Sequence, residues 1–225
     1  MTTRWGGLIK RFHPEGTPWP GSLLYNALSG SEIFLHHYDL VARDLLAYGT
    51  AERILDVGTG PGRLLPALRK TFPNTDLVGV DISSAMLEQA RRNLSPLERE
   101  GRTEICVASA NNLPFADASF DRVVSTASLH HWKDPGRAIS EVHRVLKDAG
   151  YALMYDLVRA MPQTIAKEVR GRFGGFRFAL LWLHSFEEPF LSAEEMAVLG
   201  RESDFLLEGT RFTGALSLSR DSWPL

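Results

Sequence analysis

The segment from Ile54 to Gly62, which reads ILDVGTGPG, constrains the fold of this chain more than any other part of it. Its apolar start predicts a buried strand, its alternating glycines predict a tight turn, and the apolar spacing that begins at Arg63 predicts a helix. Glycine permits a positive φ and a close approach of ligand to backbone. Amides at the end of such a loop, with a helix behind them, favour a carboxylate or phosphate. The segment therefore predicts a ligand-binding loop.

The carboxylate of Asp56 distinguishes between two kinds of ligand for this loop. The glycines at 58, 60 and 62 follow the pattern G-x-G-x-G. A dinucleotide-binding loop is expected to follow G-x-G-x-x-G, without a carboxylate just ahead of it. That carboxylate would repel a pyrophosphate and attract a cation. S-adenosylmethionine carries a sulfonium and an ammonium group as well as a carboxylate, so the loop suits this zwitterionic nucleoside better than a dinucleotide.

A second apolar run supports a nucleoside ligand. Residues 76–81 read DLVGVD and end in Asp81, which lies 19 residues beyond the last glycine of the loop. In nucleotide-binding α/β folds an acidic residue at about this distance, at the end of the second strand, binds the ribose hydroxyls. Ile82 follows directly and offers an apolar surface to an adenine ring. Ser83 or Ser84 can cap the next helix.

Four segments of the chain resemble the class I S-adenosylmethionine-dependent methyltransferases, in the branch that includes quinone-biosynthesis and many small-molecule methyltransferases. The segments are residues 54–62, 77–91, 111–132 and 134–156. The resemblance implies that the loop holds the methionine end of the cofactor, that Asp81 holds the ribose, and that the following residues surround the adenine. The implied cofactor-binding residues are Asp56, Gly58, Thr59, Gly60, Gly62, Asp81, Ile82, Met86, Ser109, Ala110 and Thr126.

The chain differs from the usual pattern of that family in two places. Relatives usually have an Asp-Ala pair where this chain has Ser109-Ala110, so the adenine amino group would meet a neutral hydroxyl instead of a carboxylate. Residues 147–150 read KDAG, where relatives usually have Lys-Pro-Gly-Gly. Gly150 is then the one glycine left for the C-terminus of the preceding helix. The first difference weakens an expected cofactor contact.

The alternation of strand and helix patterns predicts an α/β fold with a parallel sheet. In full, we expect a Rossmann-like, seven-stranded, mostly parallel sheet with helices on both faces and an antiparallel C-terminal hairpin. The predicted strands are 53–57, 77–81, 103–108, 121–127 and 150–156, and the predicted helices are 31–47, 62–71, 83–95 and 135–147. Ser192 opens a capping box for a further short helix. Two last strands, 205–211 and 214–220, are too close together for a helical crossover and must pair antiparallel.

We predict a single methyltransferase domain over residues 1–225. Its cofactor-binding core would span 49–157, and its C-terminal helix and hairpin would span 192–225. The remaining segments would emerge near the carboxyl ends of the strands, where ligands bind in open α/β sheets. Residues 1–48 are therefore interpreted as an N-terminal cap segment and 158–191 as a substrate lid. For residues 176–186 a core-packing helix is an equal alternative.

Methyl transfer requires little acid–base chemistry, because the sulfonium is already activated and the enzyme mainly aligns the acceptor. A general base is needed only for a poor nucleophile. The resemblance implies that the turn Ser128–Trp132 faces the reacting methyl, which makes His130 and His131 candidate bases. The alternative is that these histidines only position a loop or pack.

The chain does not predict a metal site. Adjacent histidines, as in His36-His37 and His130-His131, point apart and seldom chelate one ion. The carboxylate set of magnesium-dependent catechol-type methyltransferases is not found either, since Asp156 alone falls near such a position. We therefore expect no metal.

Composition limits the partners and the location. The net charge of −2 and the pI of about 6.4 give no basic field for nucleic acid, although the arginines and phenylalanines of 170–178 could resemble such a face. One cysteine, no apolar run of membrane length and no signal peptide predict a cytoplasmic protein without a membrane span. We expect a small apolar or aromatic acceptor, with or without an anionic group. The oligomeric state is left open.

Three functions are compatible with these features. The first is S-adenosylmethionine-dependent methyl transfer to a small organic acceptor. The second is a non-catalytic, methyltransferase-like module that binds the cofactor or a partner, which Ser109 and the lack of an obvious base favour. The third, a nicotinamide-dependent reductase, is disfavoured by the glycine spacing and by Asp56.

Overall fold

A computed structural model of the 225-residue chain describes the greater part of it. The described residues are 23, 25–26, 29–98, 101–157, 163–175, 191–203, 205, 209–213 and 218–224. The helices in this part are α1 (Glu32–Leu46), α2 (Leu64–Thr71), α3 (Ser84–Glu98), α4 (Pro135–Val145), α5 (Gln163–Phe173) and α6 (Ala193–Arg201), with a 3-10 turn at Leu129–His131. The strands are β1 (Arg53–Val57), β2 (Asp76–Asp81), β3 (Thr103–Val107), β4 (Phe120–Thr126), β5 (Leu146–Leu157), β6 (Gly209–Thr213) and β7 (Leu218–Pro224).

The strands lie in the order β3-β2-β1-β4-β5-β7-β6. The first five strands in this order run parallel to one another, which confirms the predicted α/β fold with a parallel sheet. The strand order reverses between β1 and β4, and such a switch point opens a crevice at the carboxyl ends of the strands. The glycine loop after β1 and the turn after β4 both lie at this crevice.

The backbones of β6 and β7 pair antiparallel, and β7 pairs antiparallel with β5. For the predicted strands 205–211 and 214–220, the predicted ends were wrong, since β6 extends to Thr213 and β7 to Pro224. Of the remaining predicted positions, 206–208 and 214–217 lie outside the described residues. Phe205 is not in a strand: its ring is buried and packs edge-on against His143, with 4.9 Å between the ring centroids. Packing into the core thus removes this residue from the predicted strand.

Side chains of the parallel strands alternate between two apolar layers, as a strand period of two requires. Val124 and Leu153 belong to the layer formed with α1, α2 and α3. Their neighbours Val123 and Met154 belong to the layer formed with α4 and α6. All four are completely buried. Burial on both faces explains why these strands read as continuous apolar runs in the sequence.

The end of α4 differs from the prediction of a helix over 135–147 and a strand over 150–156. The helix ends at Val145, and Leu146 is already extended, with φ −82° and ψ 137°. Leu146 is buried and pairs with Phe120 at the start of β5. The positive φ in this turn belongs to Ala149, at 60°, and not to Gly150. Burial of Leu146 against β4 ends the helix before its sequence pattern ends.

Three helices are capped at their N-termini by the residues predicted to cap them. Asp134 accepts a hydrogen bond from the Arg137 amide at 3.0 Å, and Ser83 accepts one from the Met86 amide at 3.3 Å. Ser192 forms the predicted capping box. These contacts confirm the caps read from the sequence. Within the described ranges, no helix is both long and apolar enough to span a bilayer.

Candidate cofactor and active site

Asp56, at the end of β1, is a buried carboxylate with one unsatisfied oxygen. The Thr59 hydroxyl donates to its Oδ2 at 2.7 Å, while Oδ1 has no hydrogen-bond partner among the described residues. Burial raises the pKa of Asp56 to about 7, against the opposing effect of the Thr59 hydrogen bond. An unpaired buried carboxylate oxygen is costly unless a ligand satisfies it. The site therefore fits a ligand with a cationic, hydrogen-bond-donating group.

The three loop glycines have three different surroundings. All have positive φ, at 76°, 55° and 72° for Gly58, Gly60 and Gly62, which confirms the predicted turn. A Cβ on Gly58 would lie 1.9 Å from Ser128 Oγ, and one on Gly62 would lie 2.8 Å from Leu94 Cδ1. Among the described residues, the nearest neighbour of a Cβ on Gly60 would be the ring of Tyr25, at 3.7 Å. Gly58 and Gly62 therefore allow protein segments to pack, and of the three only Gly60 has space beside it within the described part of the chain.

The amides of this loop already have acceptors inside the protein. Those of Gly58 and Thr59 donate to the Val80 carbonyl at 2.8 and 2.9 Å, and that of Gly62 donates to the Thr59 carbonyl at 2.9 Å. The Gly60 amide donates to Asp81 Oδ2 at 2.9 Å. These four amides are therefore engaged within the protein, and an anion at the helix end of the loop stays a prediction. An anionic group bound here needs a different donor.

Asp81, at the end of β2, links the glycine loop to the start of α3. Its Oδ2 accepts from Gly60, and its Oδ1 accepts from the Ser83 amide at 2.8 Å. Burial raises the pKa of this carboxyl, and the two backbone hydrogen bonds oppose the rise. Each carboxylate oxygen has a second lone pair. The residue can therefore order the loop and still accept hydrogen bonds from ribose hydroxyls.

In Asp81→Ala we expect the affinity for S-adenosylhomocysteine to fall about 10- to 100-fold, because two backbone amides and the ribose lose their acceptor. Isothermal titration calorimetry measures the change. Asp76→Ala, at the exposed start of the same strand, is the matched control and should bind like the wild type. An unchanged affinity in Asp81→Ala would contradict the ribose assignment.

The residues expected around the adenine lie next to Asp81. Ile82 is 38% exposed and Met86 is 3% exposed, so Ile82 offers the apolar surface. The Ala108 amide donates to the Asp81 carbonyl at 3.1 Å, which places Ser109 and Ala110 beside Ile82. The Ser109 hydroxyl accepts from the Asn111 amide at 3.2 Å. The hydroxyl that replaces the family's usual carboxylate is thus engaged within its own turn.

The turn after β4 contains a buried histidine–carboxylate pair. Thr126 ends the strand opposite Tyr155 of β5. Beyond it, His130 Nδ1 lies 2.7 Å from Asp156 Oδ1, and the His130 amide donates to Asp156 Oδ2 at 2.9 Å. Both side chains are almost completely buried. A carboxylate only accepts, so Nδ1 carries a proton and Nε2 of the neutral ring carries the lone pair.

His131 packs beside His130. It is half-buried, and its ring centroid lies 4.0 Å from that of His130. Of the two candidate bases, His130 is oriented by the carboxylate of Asp156. Asp156 was considered in the sequence only in connection with a metal, and its link to His130 spans 26 residues. A local pattern could not reveal that pair.

Three further residues near the loop were missed in the sequence. Arg63 Nη2 donates to Asn26 Oδ1 at 2.9 Å. The charges of Asp56 and Arg63 both act on the Tyr38 hydroxyl. Burial, Tyr25 and Asp56 raise the pKa of the Tyr38 hydroxyl, while Arg63 lowers it. Arg63 directly follows the last loop glycine, so its position in the sequence was the available signal.

The histidines of α1 do not form a metal centre with other described side chains. His37 is buried, and burial lowers its pKa to about 3, so it stays neutral at physiological pH. In the described part of the chain, no group of three or more His, Cys, Asp or Glu side chains is placed to hold a metal ion.

Comparison with known proteins agrees with this geometry. A family model described as a methyltransferase domain matches residues 55–154. The demethylmenaquinone methyltransferase of Thermus thermophilus is 30% identical over 175 residues, which cover 71% of this chain and 78% of that protein. The chain belongs to the class I S-adenosylmethionine-dependent methyltransferases. It is a methyltransferase with S-adenosylmethionine as its cofactor.

Two further matches extend over most of this methyltransferase. The demethylmenaquinone methyltransferase of Thermotoga maritima is 28% identical over 174 residues, covering 72% of this chain and 73% of that protein. A SAM-dependent methyltransferase from Aquifex aeolicus superposes with a TM-score of 0.63 at 19% identity, covering 81% of this chain and 87% of that one. The second match shows the same fold. The first agrees with the resemblance to the quinone-biosynthesis branch.

The residues present fit this cofactor. Asp56 Oδ1 is an unsatisfied acceptor for a cationic group, Asp81 has lone pairs for hydroxyls, and Ile82 offers an exposed apolar surface. The bound cofactor supplies an activated methyl group. The part of this methyltransferase is to hold the cofactor, align the acceptor and exclude water.

Cofactor affinity should depend on pH through Asp56. Its pKa of about 7 means that the carboxyl is mostly protonated at about pH 6 and ionised at about pH 8. Only the ionised form pairs with an ammonium group, so we expect S-adenosylhomocysteine to bind up to about tenfold more tightly at the higher pH. Calorimetry across this range tests the expectation.

The raised pKa of Asp56 makes the stability of the fold fall with rising pH, whereas cofactor affinity is expected to rise. A carboxyl whose folded-state pKa is raised stabilises the fold at low pH and loses that contribution as pH rises toward about 7. Asp56→Asn should remove both dependences. If the variant and the wild type showed the same pH profile of binding, Asp56 would not be the titrating group.

Proposed function

We propose that this methyltransferase methylates a small apolar or aromatic acceptor, with a hydroxylated ring of the quinol type as the first class to test. The observation that carries the proposal is the 2.7 Å contact between His130 Nδ1 and Asp156 Oδ1. A buried base is useful when the acceptor is a hydroxyl or a ring carbon activated by one. The two relatives named for demethylmenaquinone support an acceptor of this class.

In this proposal His130 takes the proton from the acceptor hydroxyl through Nε2. Asp156 positions the imidazole and stabilises the imidazolium that forms. The contact of Gly58 with Ser128, two residues before His130, supports this arrangement, because it brings the turn after β4 against the glycine loop. His131 would pack beside the base instead of acting as one. The cofactor-binding residues are those assigned in the sequence, from Asp56 to Thr126.

The proposed architecture is one domain with a cap at 1–48 and a substrate lid at 158–191, on a seven-stranded sheet that ends in an antiparallel hairpin. Backbone pairing of β6 with β7 supports the hairpin. The cap and the lid approach each other at α1 and α5: Arg172 Nη2 lies 3.4 Å from His36 Nδ1, and the Phe173 and His36 ring centroids are 6.0 Å apart. A cytoplasmic location, and the absence of a metal and of a nucleic-acid partner, stay predictions.

The test is methylation of a defined panel of acceptors. The protein would be incubated with S-adenosylmethionine and 1,4-dihydroxynaphthalene, a catechol or a carboxylic acid, and S-adenosylhomocysteine and methylated product would be measured by mass spectrometry. We expect turnover of the dihydroxynaphthalene. Turnover of the acid alone would overturn the acceptor class, since a carboxylate needs no base.

The match to the methyltransferases disfavours the two other functions considered from the sequence, a non-catalytic cofactor-binding module and a nicotinamide-dependent reductase. Calorimetry with S-adenosylhomocysteine and NADH accompanies the assay. Tight binding of the first without methylation of any acceptor would favour the module, and binding of NADH alone would favour the reductase.

A further inference from the structure

A half-buried arginine, Arg63, directly follows the glycine loop at the start of α2. Its Nη2 donates to Asn26 Oδ1 at 2.9 Å. Its Nε is buried and has no hydrogen-bond partner among the described residues. A buried, charged donor without an acceptor is costly and calls for an explanation. A ligand that brings an acceptor would satisfy it.

Arg63 and Asp56 both act electrostatically on the Tyr38 hydroxyl. Burial raises the pKa of that hydroxyl, the Asp56 charge raises it further, and the Arg63 charge lowers it. Among the described residues, however, Asp56 and Arg63 make no ion pair with each other. The loop thus holds one anionic and one cationic side chain apart, and each has an unmade hydrogen bond. This arrangement is complementary to a zwitterion.

The anionic end of such a ligand needs a donor other than the amides of residues 58–62. The amides of Gly58, Thr59, Gly60 and Gly62 already donate within the protein, and Pro61 has no amide hydrogen. A guanidinium is the side chain best suited to a carboxylate. The positive end of the α2 dipole adds a field of the same sign.

We propose that Arg63 binds the α-carboxylate of the cofactor's methionine end through Nε–H, while Asp56 binds the α-ammonium group. The inference rests on the proposed placement of the methionine end at the glycine loop. Asn26, from the N-terminal segment, acts as a positioning residue that holds the guanidinium.

The surroundings of Asn26 support this positioning role. Its Oδ1 also accepts from Asn93 Nδ2 at 2.9 Å, and its Nδ2 donates to Gln89 Oε1 at 3.3 Å. Asn93 Nδ2 donates in turn to the Pro61 carbonyl at 2.7 Å. The network ties the N-terminal segment to α3 and to the loop. Arg63 is therefore held in advance of binding, which lowers the entropic cost of engaging a ligand.

The test combines a variant of the protein with a variant of the ligand. S-adenosylmethionine and its decarboxylated analogue, which lacks only the carboxylate, are titrated by calorimetry into the wild type and into Arg63→Met. We expect the wild type to bind the analogue about 10- to 100-fold more weakly. In Arg63→Met the cofactor should lose a similar factor, while the affinity for the analogue should change by less than about twofold.

Arg92→Met is the matched control, because it removes the same charge from an exposed position on α3, and it should bind both ligands like the wild type. Asn26→Ala keeps the Arg63 guanidinium but removes the side chain that positions it. We therefore expect this variant to lose affinity for S-adenosylmethionine but not for the decarboxylated analogue. If thermal melts show that Arg63→Met is not folded, two other results decide the question. They are the affinities of Asn26→Ala for the two ligands and the ratio of the wild-type affinities for S-adenosylmethionine and its decarboxylated analogue.

Equal loss of affinity for both ligands in Arg63→Met would overturn the inference alone, as would equally tight binding of both by the wild type. If the wild type bound neither ligand, both this inference and the proposed placement of the methionine end at the glycine loop would be wrong.

Discussion

Gly58→Ala is expected to lower the free energy of unfolding by about 2–5 kcal/mol, through left-handed backbone strain and overpacking, and to abolish cofactor binding. The added Cβ would lie 1.9 Å from Ser128 Oγ and 2.5 Å from Ser128 Cβ, on a backbone with a φ of 76°. The turn after β4 would have to move away from the loop. Urea unfolding followed by circular dichroism measures the stability, and calorimetry with S-adenosylhomocysteine measures binding.

Gly101→Ala separates the two causes of this loss. Its φ of 75° is nearly the same, but no atom of a described residue lies within 4 Å of the added Cβ. We expect only the backbone cost there, about 1–2 kcal/mol. Adding Ser128→Gly to Gly58→Ala should restore part of the stability, since it removes both clashing atoms. If Gly58→Ala and Gly101→Ala lost equal stability, the contact with Ser128 would not matter.

Asp156→Ala is expected to destabilise the fold by about 3–5 kcal/mol, because it leaves the buried His130 amide and Nδ1 without their acceptor. Asp156→Asn is the sharper variant. It keeps the shape and one oxygen for the His130 amide, but its amide group favours the tautomer with the proton on Nε2. We expect kcat to fall about 100-fold or more, by the loss of general-base catalysis, and the affinity for S-adenosylhomocysteine to change by less than about twofold.

Asp148→Asn, at an exposed position of the same strand, is the matched control and should keep the wild-type kcat. A normal kcat in Asp156→Asn would show that the pair only fixes the turn. Loss of binding and of activity in parallel would point to a structural role at the cofactor site.

Features set within a few neighbouring residues were predictable from the sequence. The strand–loop–helix unit, its positive-φ glycines, the carboxylates at the ends of β1 and β2 and the caps at Ser83, Asp134 and Ser192 all follow from local spacing and chemistry. The helix end at Val145 and the hairpin bounds did not follow. Leu146 and Phe205 are placed by burial against distant elements, which a local pattern does not contain.

The sequence by itself determined the cofactor class, because Asp56 and the alternating glycines are a local combination that selects a cationic nucleoside over a dinucleotide. Only the tertiary structure decided what each site residue contacts. Gly58 is required by Ser128, His130 is oriented by Asp156, and Arg63 is held by Asn26. Each pair joins segments far apart in the chain. Their contact depends on strand order and packing, because a side chain's partner across a sheet edge is fixed by the fold and not by its neighbours in sequence.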